Sequence, residues 1–134
     1  MNKICTSLEQ SKKLIELGID ISTADMFYAE LSIDGNIKHN LYPLESYGFK
    51  TFSDTKTHES KRLSFIPAWS LSALIWLMPE RIKIGEELSF CLASKKSSTG
   101  FSFGYNLNGS TFVKDNPIDA AFEMVVWLKE NGKL

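Results

Sequence analysis

Residue types that do chemistry are few and scattered in this sequence. Two histidines occur, His39 and His58, and two cysteines, Cys5 and Cys91. Catalysis by a nucleophile and a histidine base would need one of these histidines beside a cysteine or serine, and nothing local positions such a pair. Neither Cys-x-x-Cys, nor His-Glu-x-x-His, nor a loop dense in carboxylates is present. We therefore predict no catalytic residue, no metal ligand and no cofactor.

One pair of carboxylates has helical spacing. Asp119 and Glu123 lie one turn apart in the last predicted helix, which would suit acid–base catalysis or a divalent ion. The same amphipathic helix needs a polar face at these positions. We interpret the pair as that solvated face.

An aromatic stretch resembles the strand on which RNA-binding sheets stack bases. It runs over residues 100–105 and follows Lys95 and Lys96. The basic residue expected just before the glycine is absent, the order of elements differs from that fold, and alternating aromatics more often line a sheet core. Binding of single-stranded nucleic acid is our third hypothesis, and burial of these rings under helices would exclude it. The stacking residues would be Phe101, Phe103 and Tyr105.

The tryptophans offer the better candidate for a binding site. Trp69 and Trp76 are either core residues of a helix between two layers or an exposed aromatic patch of the kind that marks protein interfaces. Trp127 stands apart from the aliphatic stripe of its own helix in the same way. We predict that these three indoles line a homodimer interface or a groove for a protein partner.

The element that would carry two of these indoles is an uncharged segment over residues 66–79. Pro67 fits the first turn of a helix and Pro79 its end. At helical spacing an aliphatic stripe faces one way, and Trp69 and Trp76 fall nearly opposite it. The sequence therefore predicts a helix that two neighbours must shield.

The first and last helices have clear end signals. Ser7 and Gln10 predict a capping box, and Gly18 predicts a Schellman ending in which Ile19 folds back. Asn116 followed by Pro117 predicts the start of the last helix, and residues 131–132, Asn-Gly, predict its end.

The first strand and its hairpin follow from alternation after residue 25. Phe27, Ala29, Leu31 and Ile33 share a face, and Asp34-Gly35 predicts a turn. A two-residue turn would place Asn36 beside that apolar face. A three-residue turn would place Ile37 opposite Ile33, and we prefer it because apolar then meets apolar.

The second half predicts further strands. Residues 81–83 and 88–93 have strand character, residues 95–100 are predicted as a turn, and residues 101–107 form the most regular alternation. Asn108-Gly109 predicts a hairpin that pairs Tyr105 with Phe112.

Residues 44–63 form a polar stretch without clear periodicity. Connections of this length are typically solvated or functional. We interpret it as a surface insertion. The alternative is a flap over a small-ligand or enzymatic site between this loop and the sheet.

Bulk properties place the chain among ordinary globular proteins. Its 134 residues fit one domain, and its formal net charge of −1 produces no long-range field for nucleic acid or an anionic membrane. No apolar run is long enough for a membrane span, and the polar start predicts a cytoplasmic protein. We predict a single α+β domain: an antiparallel sheet of about four to five strands built from two hairpins, with three helices mainly on one face.

Three blocks of the chain resemble a group of small, uncharacterised proteins of bacterial genomes, prophages and mobile elements. The blocks are residues 5–26, 66–74 and 116–128. The resemblance transfers no activity, because no functional residues are assigned in that group, and it implies at most an accessory role in a mobile element. We expect a small accessory protein that acts by protein–protein interaction or self-association.

Overall fold

The computed structural model describes residues 3–33, 35–43, 63–84, 88–105 and 113–134. It divides into two compact units, which we call the first unit (residues 7–70) and the second unit (residues 1–6 and 71–134). Helices and antiparallel strands occur as separate elements, which confirms the α+β class. The single domain remains a prediction.

Helix α1 of the first unit spans Leu8–Glu16 and has the predicted ends. The Ser7 hydroxyl accepts from the Gln10 amide at 3.2 Å, and the Gln10 side chain accepts from the Ser7 amide at 3.0 Å. At the other end Gly18 has a φ of 86°, and the Ile19 amide donates to the Leu14 carbonyl at 3.0 Å. The capping box and the Schellman ending are both confirmed.

A short 3₁₀ helix, Ile21–Thr23, leads into a three-stranded sheet. Strands β1 (Met26–Ile33), β2 (Asn36–Pro43) and β3 (Leu63–Ala68) are antiparallel, in the order β2-β1-β3. Phe27 is buried at the centre, stacked on Tyr42 at 5.7 Å between ring centroids and edge-on to Phe65 at 5.5 Å. The predicted apolar face of β1 is therefore confirmed at Phe27 and Ala29, which are both buried.

The preferred register of the first hairpin is wrong. Ile33 pairs with Asn36, so only two residues separate the paired strands, which is the register of the two-residue alternative. Gly35 has a φ of 80°, as tight hairpin turns require, and Ile37 is 60% exposed. The turn geometry sets the register here, because the start of β2 lies in solvent and matching apolar residues there stabilises little.

The predicted helix over residues 66–79 is also wrong in its first third. Residues 66–68 belong to β3, where Pro67 pairs with Phe27, and helix α2 spans only Leu71–Leu77. Proline is tolerated in β3 because this strand lies at the edge of the described sheet order, where a missing N–H costs no ladder bond. Pairing with β1 thus outweighs the local helical pattern.

The second unit contains two separate hairpins, whereas the sequence predicted that its strands belong to one larger sheet. Strands β4 (Arg81–Ile84) and β5 (Leu88–Cys91) form one antiparallel pair, and β6 (Ala93–Ser97) and β7 (Gly100–Gly104) form another. The prediction of one sheet of four to five strands is wrong for the described residues. In the second unit, each hairpin is formed by two strands that follow one another in sequence. The alternation of apolar and polar residues predicts the strands, but it does not specify whether two hairpins pair with each other to form one sheet.

The β6–β7 hairpin corrects the predicted turn over residues 95–100. Ser97 pairs with Gly100, so only Ser98 and Thr99 connect the strands. Every side chain of β6 is exposed, and a strand of that kind shows no apolar alternation. Phe101 of β7 also forms an isolated antiparallel bridge with Lys114. Its amide donates to the Lys114 carbonyl at 2.7 Å, and its carbonyl accepts from the Lys114 amide at 2.9 Å.

Helix α3 (Pro117–Glu130) packs against α2 and β7. Its start is as predicted, since the Asn116 side chain accepts from the Ile118 amide at 2.8 Å. At its end Gly132 has a φ of 67°, and the Lys133 amide donates to the Leu128 carbonyl at 2.8 Å. Its buried residues are Ile118, Ala120, Ala121, Phe122, Met124, Val125 and Leu128.

Among the described residues, no helix is long and apolar enough to cross a membrane. The predicted insertion over residues 44–63 lies outside the described residues except for Leu63, the first residue of β3. The Asn108-Gly109 hairpin and the Tyr105–Phe112 pair also fall outside the described ranges.

Candidate functional site

Helix α2 carries apolar side chains on its inner and outer faces. Ala73, Leu74 and Met78 are buried, and α2 packs on α3 within the second unit. Helical spacing then turns Ser72, Ile75 and Trp76 the other way. The outer face of α2 is therefore uncharged and partly apolar.

Among the residues whose exposure the structure describes, Trp76 is the most exposed large apolar side chain. It is 87% exposed, and the adjacent Ile75 is 38% exposed. Ser72, Ile75, Trp76 and Met78 line a surface depression of about 350 Å³, which we call the Trp76 surface. An indole with so little cover gains almost nothing from burial within the chain, so it remains available to another molecule.

Trp69 has the opposite environment. Its side chain has no exposed area, and its indole N–H donates to the Thr23 hydroxyl at 2.9 Å. The next residue is held in the same region, since the Ser70 amide donates to an Asp25 carboxylate oxygen at 2.8 Å and the Ser70 hydroxyl donates to the other oxygen. Trp69 is thus a core residue of the first unit and offers no surface to a partner.

Trp127 lies on α3 and is half-buried. Its carbonyl accepts from the Asn131 side chain at 2.8 Å, a contact that belongs to the end of the helix. The three predicted interface tryptophans therefore occupy three different environments. Only Trp76 is largely exposed.

The aromatic strand does not present an open stacking face. Phe103 and Tyr105 are buried, and Phe101 is half-buried. Base stacking needs an exposed ring face, so this geometry argues against nucleic acid on β7.

Tyr105 is held within the second unit by a specific contact. Its hydroxyl donates to the Pro79 carbonyl at 2.5 Å. Burial raises the pKa of this phenol from 10.0 to about 12, because the ionised form would lose its hydration. The hydroxyl is therefore a structural donor that joins the end of β7 to the end of α2.

A second depression of about 330 Å³ lies beside the Trp76 surface, and we call it the lysine groove. It shares Ile75 with that surface. Lys96 lies over the Phe101 ring, with its Nζ atom 5.7 Å from the ring centroid. The lining residues are Leu71, Ile75, Ser94, Lys95, Lys96, Phe101, Ser102, Phe103 and Pro117.

Sequence reasoning missed the lysine groove. It assigned Lys95 and Lys96 to a turn, although the structure places them on β6 beside an aromatic strand. The signal was present, because two lysines lie a few residues before the alternating aromatics. What the sequence lacked was the pairing of β6 with β7 and the position of Leu71 and Pro117 next to that hairpin.

Two of the titratable residues that sequence analysis weighed, Asp119 and His39, have structural partners. Asp119 accepts from Lys3 at 2.6 Å, and His39 contacts Glu30 at 3.3 Å across the β1–β2 pair. The pKa of Asp20 is lowered by hydrogen bonds from the Ser22 amide and side chain at the start of the 3₁₀ helix. Within the described ranges, no group of three His, Cys, Asp or Glu residues could hold a metal ion.

Two of the predicted candidates cannot be placed. His58 and residues 44–62 of the predicted flap over residues 44–63 lie outside the described residues, so a site between that flap and the sheet cannot be placed. Cys5 is buried, and its thiol donates to the Thr6 carbonyl at 3.4 Å. Comparisons with protein-family models, with curated proteins and with solved structures each find no match to this chain.

Proposed function

We propose that this protein is a binding protein that docks a segment of another protein on the Trp76 surface. The single observation that carries the proposal is the exposure of Trp76, at 87%, on the uncharged outer face of α2. Tryptophan is among the residues that contribute most to protein interfaces, because a rigid indole covers a large area at low entropic cost. Ile75 extends the apolar contact along the helix.

The size of the surface supports a short segment over a second copy of the chain. One aromatic side chain buries on the order of 150–250 Å², whereas a stable interface covers about 800 Å² on each partner. The Trp76 surface offers one indole and part of one isoleucine. A peptide segment that inserts apolar side chains beside the indole fits this area better than a dimer does.

The resemblance of three blocks to small proteins of bacterial mobile elements supports an accessory role. An accessory protein acts by holding another component in place, and a docking surface is sufficient for that task. The resemblance and the exposed indole therefore support the same proposed activity, the binding of a protein segment.

Selection of peptides from a random phage-displayed library tests the proposal. We expect the full chain to select peptides that contain at least one large apolar residue, and binding of synthetic copies should fall at least tenfold in Trp76→Ala, as for an interface hot spot. Ile37→Ala is the matched control, because it removes another exposed apolar side chain, from β2 of the first unit. Its affinity for the same peptides should match that of the wild type.

Two results would contradict the proposal. Peptides that bind Trp76→Ala as well as the wild type would place binding elsewhere on the chain. Sedimentation velocity of the wild type showing a dimer that Trp76→Ala abolishes would replace the foreign segment with a second copy.

A further inference from the structure

The lysine groove has an apolar floor and a cationic rim. Leu71, Ile75, Phe103 and Pro117 supply apolar surface, whereas Lys95 and Lys96 are exposed. No carboxylate occurs among the described residues that line it. Its local charge is therefore positive in a chain whose formal net charge is −1.

The position of Lys96 ties one of these charges to the groove. Its Nζ atom lies over the Phe101 ring, 5.7 Å from the ring centroid, which is within the range of a cation–π contact. Phe101 is itself held by the two backbone hydrogen bonds to Lys114. The cation is thus placed at the edge of an apolar depression by a ring that the backbone fixes.

The lysine groove and the Trp76 surface form a continuous strip along α2. Ile75 lines both depressions, of about 330 and 350 Å³, and Leu71 and Trp76 lie on either side of it. Each depression is at the lower limit of ligand pockets, which span roughly 300–1,000 Å³. A segment of chain can contact both depressions through different side chains, whereas a small molecule fills one of them.

We propose that the occupant of this strip is an acidic segment of a partner protein, with apolar side chains in the two depressions and an Asp or Glu against Lys95 and Lys96. This inference rests on the proposed function and adds the charge of the partner. Charge complementarity carries it, since a cationic rim around apolar surface favours an anionic and apolar segment over a neutral or basic one.

The peptides selected on the wild-type chain provide the first readout. We expect them to be enriched in Asp and Glu within a few residues of a large apolar side chain, relative to the starting library. Synthetic copies should bind Lys95→Glu/Lys96→Glu about tenfold more weakly than the wild type, because each exposed attraction is replaced by repulsion. Fluorescence anisotropy of the labelled peptide measures the change.

Lys12→Glu/Lys13→Glu is the matched control for that double variant. It reverses two adjacent exposed lysines on α1, so the change in net charge is identical. Peptide affinity for this control should stay within twofold of the wild type. Circular dichroism and thermal unfolding of both double variants show that the fold is retained.

Salt gives a second and independent readout. Affinity of the wild type for an acidic peptide should fall as sodium chloride rises, because salt screens the attraction between exposed charges, with a Debye length of about 8 Å at 0.15 M that shortens at higher salt. Affinity of Lys95→Glu/Lys96→Glu for the same peptide should not fall, since screening then reduces a repulsion.

The outcomes separate this inference from the proposed function. Peptides that depend on Trp76 but carry no excess of acidic residues, or that bind Lys95→Glu/Lys96→Glu as well as wild type, would overturn the acidic segment and leave the docking surface. Peptides that bind independently of Trp76, or selection that yields no specific peptide, would overturn both. Preference for an acidic amphiphile such as octanoate over every peptide would replace the segment with a small anion.

Discussion

At the scale of single residues, two indoles seven positions apart have opposite roles. Trp69 is enclosed in the first unit with its N–H donated to Thr23, and Trp76 is exposed on α2. The sequence pattern predicted that both indoles lie on the same face of one helix. The difference arises because β3 continues through residue 68 and removes Trp69 from the helix.

Replacement of each indole by alanine separates the two roles. Trp69→Ala should lower the free energy of unfolding by about 3–5 kcal/mol, because it opens a cavity in a packed core. Trp76→Ala should change it by no more than about 0.5 kcal/mol, as for an exposed position. Urea denaturation followed by circular dichroism measures both, and equal losses would contradict the assigned environments.

Trp76 also has a spectroscopic signature. An exposed indole emits at longer wavelength and is quenched by acrylamide more readily than a buried one. We expect Trp76→Phe to shift the emission maximum of the folded chain to shorter wavelength and to lower its quenching constant. Trp69→Phe serves as the comparison, and it should shift the maximum to longer wavelength because it removes the buried indole.

Tyr105 provides a pH-dependent prediction. Its folded pKa of about 12 lies above the ordinary value of 10.0, so the folded chain retains a proton that the unfolded chain releases between these values. The stability contributed by the phenol is complete below pH 10 and is lost as pH rises toward 12.

The comparison variant is Tyr105→Phe, which removes the donor to the Pro79 carbonyl. At neutral pH it should lose about 1–2 kcal/mol of stability, because a buried acceptor loses its partner. As pH rises from 10 to 12, the advantage of the wild type in denaturant titrations should shrink. Parallel stability curves for the two proteins over this range would contradict the raised pKa.

At the scale of elements, the sequence correctly predicted the features that depend on contacts between residues close together in the chain. The capping box at Ser7, the Schellman ending at Gly18 and the Asn116 cap are formed by residues within a few positions of one another, and all three are confirmed. The apolar alternation of β1 is confirmed at Phe27 and Ala29 for the same reason.

The elements that the sequence missed depend on distant partners. Residues 66–68 form a strand only because β1 is there to pair with, and residues 95–97 form a strand only because β7 pairs with them. Local patterns favoured a helix and a turn at these positions. The lysine groove was missed for the same reason, since Leu71, Phe103 and Pro117 meet only in the folded unit.

Gly100 shows how tightly β7 is held against its neighbour. Its φ is 142°, and a Cβ atom built on it would lie 2.3 Å from the Lys114 carbonyl oxygen. Gly100→Ala should therefore cost about 2–4 kcal/mol, which combines backbone strain with a clash against fixed backbone.

Gly35→Ala is the control for backbone strain alone. Gly35 also has a positive φ, 80°, but nothing lies within 4 Å of a Cβ atom at that position. We expect a cost of about 1 kcal/mol there. Thermal unfolding of the two variants measures the difference, and an equal cost would show that the space beside Lys114 opens readily.

At the scale of the whole chain, the second unit is assembled from both ends of the sequence. Residues 1–6 belong to it together with residues 71–134, although 64 residues of the first unit, 7–70, lie between them in sequence. Cys5 and Thr6 are buried, and Lys3 reaches Asp119 on the first turn of α3. Asp119, which sequence analysis placed on a solvated helix face, thus forms an ion pair with a residue near the start of the sequence.

A double-mutant cycle measures this contact between distant parts of the chain. Lys3→Met and Asp119→Asn should each lower the free energy of unfolding by about 0.5–1 kcal/mol, as expected for a partly exposed ion pair. The double variant should cost less than the sum of the two, because the ion pair between Lys3 and Asp119 can be lost only once. The coupling should weaken in high salt, where exposed charges are screened. Additive costs that do not depend on salt would show that Lys3 and Asp119 do not act on each other and that this ion pair does not hold the start of the chain.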